Sequence, residues 1–114
     1  MAPPTLVSMP PRFHPRQYTE EPRAFGKAAT IEWKRAPPGE EARHTAAQMQ
    51  HLWAVEIARA ATVRFGSLKN YAEAAGVSYD RLTRVIRGEE IMRLEDIATA
   101  HVHLSVQVPG RLLR

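Results

Sequence analysis

Hydrophobic positions recur along most of this chain at the three- and four-residue intervals that place side chains on one face of an α-helix. The longest such pattern runs over residues 44–65. Met49, Trp53, Ile57, Ala60 and Ala61 share one stripe there, with Leu52 beside it, while Gln48, Gln50, Glu56, Arg59 and Arg64 fall largely away from it. Thr45 is a candidate cap and Gly66 a natural terminator. A second, shorter pattern from Leu68 to Ala75 turns Leu68, Tyr71, Ala72 and Ala75 inward, with Ser67 as its cap. Gly76 stops it, Val77 is placed to drop into the angle, and Ser78 caps a third pattern. In that one Leu82, Val85 and Ile86 point inward; Tyr79, Asp80, Thr83, Arg84 and Arg87 point outward; Gly88 is the stop. A fourth helix is expected from Arg93 to about His101, with Leu94, Ile97, Ala98 and His101 inward and Met92 where a capping residue belongs. Beyond it, Leu104, Val106 and Val108 alternate with polar residues, a candidate short strand ended by Pro109-Gly110.

Residues 1–43 carry a different pattern. They hold Pro3, Pro4, Pro10, Pro11, Pro15, Pro22, Pro37 and Pro38, and each proline removes a backbone donor and restricts its predecessor. No long helix can run through, and the segment reads as an extended Pro/Arg-rich arm. Only Ala28–Arg35 suggests order, where Thr30, Glu32 and Lys34 alternate with Ile31, Trp33 and Arg35 as in a strand. A lone strand needs a partner. The C-terminal strand would pair with Thr30–Lys34 or with its own copy across a dimer axis; a frayed tail is the alternative. The expected organisation is an arm (1–43), a helical domain (44–104) and a tail or short strand (105–114). The fold class is all-α, a compact helical bundle.

The 16 Lys and Arg against 12 Asp and Glu leave a net charge of +4, with a pI near 10.0. That excess suits nucleic acid but is common among soluble proteins. Without cysteine there is no disulfide, thiolate nucleophile or zinc–thiolate site. No window approaches the ~18 consecutive apolar residues that span a bilayer. The N-terminus lacks the pattern of a secretory signal, so a cytoplasmic location and no membrane partner are expected.

The stretch 68–87, with small Ala72, Gly76 four residues on, Val77 in the turn, and Leu82 and Val85 in the second helix, resembles a helix-turn-helix of the lambda-repressor/Cro type, the Xre family. The continuation from Arg87-Gly88 through Leu94, Ile97 and Ala98 is also similar, and the resemblance covers roughly residues 48–104. A small residue at position 72 has a physical reason, because the two helices cross closely there. The family includes phage immunity repressors and antitoxins of toxin–antitoxin pairs. The resemblance implies a sequence-specific double-stranded DNA-binding regulator, most simply a repressor that occupies an operator. It also implies that the second helix of the motif enters the major groove.

On that reading Ser78, Tyr79, Asp80, Thr83 and Arg84 face base edges. Arg84 can bond O6 and N7 of guanine together, and Thr83 can meet a thymine methyl. Asp80 would accept from a cytosine amine or orient Arg84, four residues on; it also simply suits a helix N-terminus. Lys69, Asn70, Arg81 and Arg87 would meet phosphates, which orient without reading sequence. Arg12, Arg16 and Arg23 could carry the arm to DNA, although five interspersed acids favour a solvated linker or a segment that packs Trp33 on the domain. Reading a palindrome implies a homodimer or cooperative monomers. The alternative is an antitoxin or other protein-interaction module that reuses the fold and wraps a partner with its arm or its C-terminal strand. No cofactor is expected. His101 and His103 have metal-like spacing but no third ligand, His44 and His51 are too far apart to share a metal, and no catalytic constellation marks an enzyme.

Overall fold

The Pro37-Pro38-Gly39 sequence bars a helix, and directly after it the chain enters α1, Glu41–Phe65, in a computed structural model that describes residues 13–107. Gly66, in the left-handed region at φ 86°, ends α1 with its N–H donating to Thr62 O. Three shorter helices follow: α2 (Leu68–Ala75), α3 (Tyr79–Ile86) and α4 (Leu94–Leu104). The architecture is an all-α bundle in which α1 lies against α2, α3 and α4.

The buried stripe of α1 is Ala47, Gln50, Ala54, Ile57 and Ala61, joined by His51 and Ala60. It is rotated from the expected one: Met49 is exposed, and Trp53 and Leu52 are only half-buried. Small Ala47, Ala54 and Ala61 let neighbouring elements approach α1 closely. Two polar residues of α1 are interior as well: Gln50 against the end of α3 and the loop after it, and His51 under a second layer.

That second layer is the N-terminal segment. Over residues 13–40 the chain is not an extended arm. It makes two 3-10 turns, Pro15–Tyr18 and Pro22–Ala24, and buries Pro15, Tyr18, Thr19, Phe25 and Ile31. Phe25 and Ile31 belong to the same core as Ile57, Tyr71, Leu82 and Ile86. The prolines set the turns rather than keeping the segment apart. Burying one phenylalanine contributes ~1.5–3 kcal/mol, which gives the segment a reason to fold. Trp33 packs against the core edge and meets Phe25 and His51 edge-to-face. Within the stretch 28–35, residues 32–34 do pair, but with residues 18–20: Glu20 N–H donates to Glu32 O and Lys34 N–H to Tyr18 O, around a Thr19–Trp33 antiparallel bridge. Arg12 lies outside the described residues.

The fourth helix also corrects the sequence reading. It runs to Leu104, and its buried residues are Ala100 and Leu104, with Ile97 half-buried. Leu94, Ala98 and His101 are exposed, Leu94 at 86%. The extra turn brings Leu104 into the core and rotates the apolar stripe onto 97, 100 and 104. Arg93, not Met92, stands at the cap position, where its N–H donates to Asp96 Oδ2 at 2.8 Å. Residues 103 and 104 are thus helical rather than strand; Ser105 breaks the helix at φ 55° and Val106 tucks into the core. The rest of the expected C-terminal strand, from Val108, lies outside the described residues. Among the described residues no helix is long and apolar enough to cross a membrane.

Candidate nucleic-acid interface

Two serines and a glycine build the corner formed by α2 and α3. Ser67 Oγ accepts the Asn70 N–H at 3.0 Å and starts α2. Gly76, at φ 71°, takes the left-handed conformation that ends it. Val77 N–H returns to Ala72 O at 3.0 Å, and Ser78 Oγ then accepts the Arg81 N–H at 3.2 Å to start α3. Ala72 is buried to 1% exposure, and Tyr71, Leu82, Val85 and Ile86 close the inner side of the corner.

Buried Gln50 of α1 holds the far end of α3. Its Nε2 donates to Val85 O at 2.9 Å and to Glu90 O at 2.8 Å, while its Oε1 accepts the Met92 N–H at 2.8 Å. One side chain therefore ties down both the last turn of α3 and the loop after it.

The outer face of α3 carries Tyr79, Asp80, Arg84 and Arg87, all exposed, with Thr83 half-buried. Ser78 is exposed but its hydroxyl is engaged as the cap. The Thr83 hydroxyl donates to Tyr79 O at 2.9 Å, a bond it would exchange to meet a ligand. Arg84 turns to Glu90, Nε to Oε1 at 3.3 Å, rather than to Asp80. Arg87 lies 3.9 Å from Glu89. On α2, Lys69 is exposed and has no ion pair among the described residues. Asn70 is exposed too, and its Nδ2 donates to Phe65 O at 2.8 Å, closing the end of α1.

Arg81 is different from its neighbours. Its guanidinium grips Asp96 of α4 through Nη1–Oδ1 at 2.7 Å and Nη2–Oδ2 at 2.9 Å. Its Nε lies 2.9 Å from Glu90 Oε2, off the line of a hydrogen bond. The hydrogen bond to Asp96 holds the Arg81 guanidinium above its ordinary range. For Asp96, burial pulls the carboxyl upward, but the bonds from Arg81 and from the Arg93 N–H outweigh it and hold the group below the usual carboxylate range. Glu90 is likewise held low, its burial outweighed by Arg84 and Arg81. Arg81 is a clamp between α3 and α4, and its fork is committed to carboxylates rather than presented on the outer face beside Arg84.

His51, which the helical pattern left as an ordinary surface or partly buried histidine, sits at 2% exposure. Its Nδ1 accepts the Gly26 N–H at 2.9 Å, and Phe25 and Trp33 pack on the ring. Burial pushes its pKa below the ordinary value of 6.5. His101 and His103 lie on the last turn of α4, not on a strand. Compared with protein-family models, curated proteins and solved structures, the chain finds no match in any of the three.

Proposed function

We propose that this protein is a sequence-specific double-stranded DNA-binding transcription regulator that represses by occupying its operator. The observation that carries the reading is the capped corner of α2 and α3. It leaves one exposed polar face, Asp80, Arg84 and Arg87 with Tyr79 beside them, on a helix narrow enough for the major groove. The resemblance to lambda-repressor/Cro-type regulators in residues 68–87 points the same way. Arg84 is the base reader, exchanging Glu90 for the edge of a guanine. Lys69 and Arg87 contact phosphates, Asn70 offers what remains of its amide, and Ser78 and Thr83 act mainly through the backbone they hold. Two copies on a palindrome would supply the specificity that one short helix lacks. The alternative is an antitoxin whose arm or C-terminal strand wraps a protein partner; residues 13–40 of that arm already pack on the core.

Selection of random duplex DNA by the purified protein at ~150 mM salt tests the proposal. An enriched palindrome is expected, and its half-site spacing would report the dimer. Binding without enrichment that vanishes as salt rises would refute it. On the selected site, Arg84→Ala should weaken specific binding by ~1–3 kcal/mol and relax discrimination at one base position. Lys69→Ala should weaken all sequences alike and make the salt slope shallower by ~0.9. An equal loss on all sequences for Arg84→Ala would demote that residue to a phosphate contact.

A further inference from the structure

The N-terminal segment does more than cover the core, because it ends against the C-terminal end of α3. Arg16 N–H donates to Gly88 O at 3.0 Å, and His14 Nδ1 lies 2.7 Å from Glu89 O. The approach at Gly26 is tighter still: a Cβ there would run into Ile86 O, so no other residue fits without moving the backbone. The Phe25 ring packs on Gly88, where an added Cβ would stand 2.7 Å from Phe25 Cδ1. The segment is therefore fixed in register with the helix proposed to read DNA.

This docking gathers charge. Arg16, Arg23 and Lys27 of the segment line a groove of about 230 Å³ together with Arg87, which caps the C-terminal end of α3, and Glu89. Four cations and one carboxylate leave the groove at +3 (4 − 1). Arg16 and Arg87 share Glu89 only loosely, at 3.8 and 3.9 Å, and Arg23 and Lys27 have no ion pair among the described residues. Arg87 also belongs to the outward stripe of Asp80 and Arg84, one helical turn beyond Arg84. The groove is thus the continuation of that stripe at its C-terminal end.

We infer that the folded segment is a rigid wing that binds the phosphate backbone beside the major groove entered by α3, with Arg23 and Lys27 as its contacts and Arg16 and Arg87 behind them. The inference rests on the DNA-binding reading of α3. Cations held by a packed scaffold meet phosphates without the ordering cost of a free arm. They add affinity but no sequence preference.

The test is the double variant Arg23→Ala/Lys27→Ala in the full chain, titrated across a salt series against the selected duplex and a scrambled one. Both side chains are exposed, and melting by circular dichroism should match the parent. The slope of log K against log salt should become shallower by ~1.8, two contacts at ~0.9 each, on both duplexes, with the ratio of specific to nonspecific affinity unchanged. A parent-like slope in the variant would overturn the wing while leaving DNA binding by α3 intact. So would an unchanged slope with an altered specificity ratio. A parent protein that binds neither duplex would instead overturn the proposed function, and the wing with it.

Discussion

Replacing Arg81 with alanine separates a clamp from a DNA contact. In the folded protein the Arg81 guanidinium makes two hydrogen bonds to one carboxylate, at 2.7 and 2.9 Å, and lies 2.9 Å from a second. A hydrogen bond to a charged group contributes ~1.5–3 kcal/mol, and removing one partner of a buried pair costs ~3–5 kcal/mol. Those figures need a discount, because the Arg81 side chain is 23% exposed and that of Glu90 27%. Asp96, at 11%, is the group that would be stranded. A cost of about 2–3 kcal/mol remains, which for a domain near 100 residues lowers Tm by roughly 10 °C or somewhat more.

Thermal and urea unfolding of Arg81→Ala, Asp96→Ala and the double variant would measure this, with a coupling of about 2 kcal/mol expected from the cycle. The pH dependence carries a sign. Asp96 has a folded pKa below its ordinary value of 3.8, so its contribution is present above that value and is lost as pH falls through the lower folded value. The gap between parent and Arg81→Ala should narrow in that acid window. An Arg81→Ala variant that melts with the parent, yet shows a shallower salt slope on DNA, would refute the clamp and return Arg81 to the phosphate-contacting set.

Two further outcomes probe the docked segment. Gly26→Ala combines a φ of 75° with a clash against Ile86 O and should destabilise by about 3 kcal/mol or more, whereas Gly39→Ala, with open space around it, should cost only the ~1–2 kcal/mol of a left-handed alanine; equal Tm losses in the two variants would contradict the tight docking. His51 has a folded pKa below 6.5, so its contribution to stability is complete above 6.5 and is lost as pH falls from there through the folded value. Tm of the parent should therefore drop as pH falls below 6.5, and His51→Gln, which keeps an acceptor for Gly26 but does not titrate, should flatten that drop; a parent-like slope in His51→Gln would assign the effect elsewhere.

What was legible in the sequence follows distance along the chain. The corner of α2 and α3 is written in neighbours: Ser67 reaches Asn70, Ser78 reaches Arg81, and Gly76 needs only its own φ. Periodicity finds such elements because each determinant lies within one turn of the next. Arg81 defeated the same reasoning. Its partner Asp96 is fifteen residues away, and an arginine beside an exposed face looks free until another helix brings a carboxylate to it. The N-terminal segment defeated it more thoroughly. Proline density argued correctly against a long helix, yet two 3-10 turns tolerate proline at their first position, and that is where Pro15 and Pro22 stand. The apolar content that could have warned of a packed segment was spread thinly, at Tyr18, Phe25, Ile31 and Trp33, with no repeat to mark it. Gln50 and His51 read as polar positions on a helix because their partners, Val85 O, Met92 N–H and Gly26 N–H, are backbone groups that carry no sequence signal. The same long-range contacts that hid the segment also set its basic residues beside α3. Local pattern could name the helix proposed to meet bases, and it could not show that residues 13–40 stand next to it.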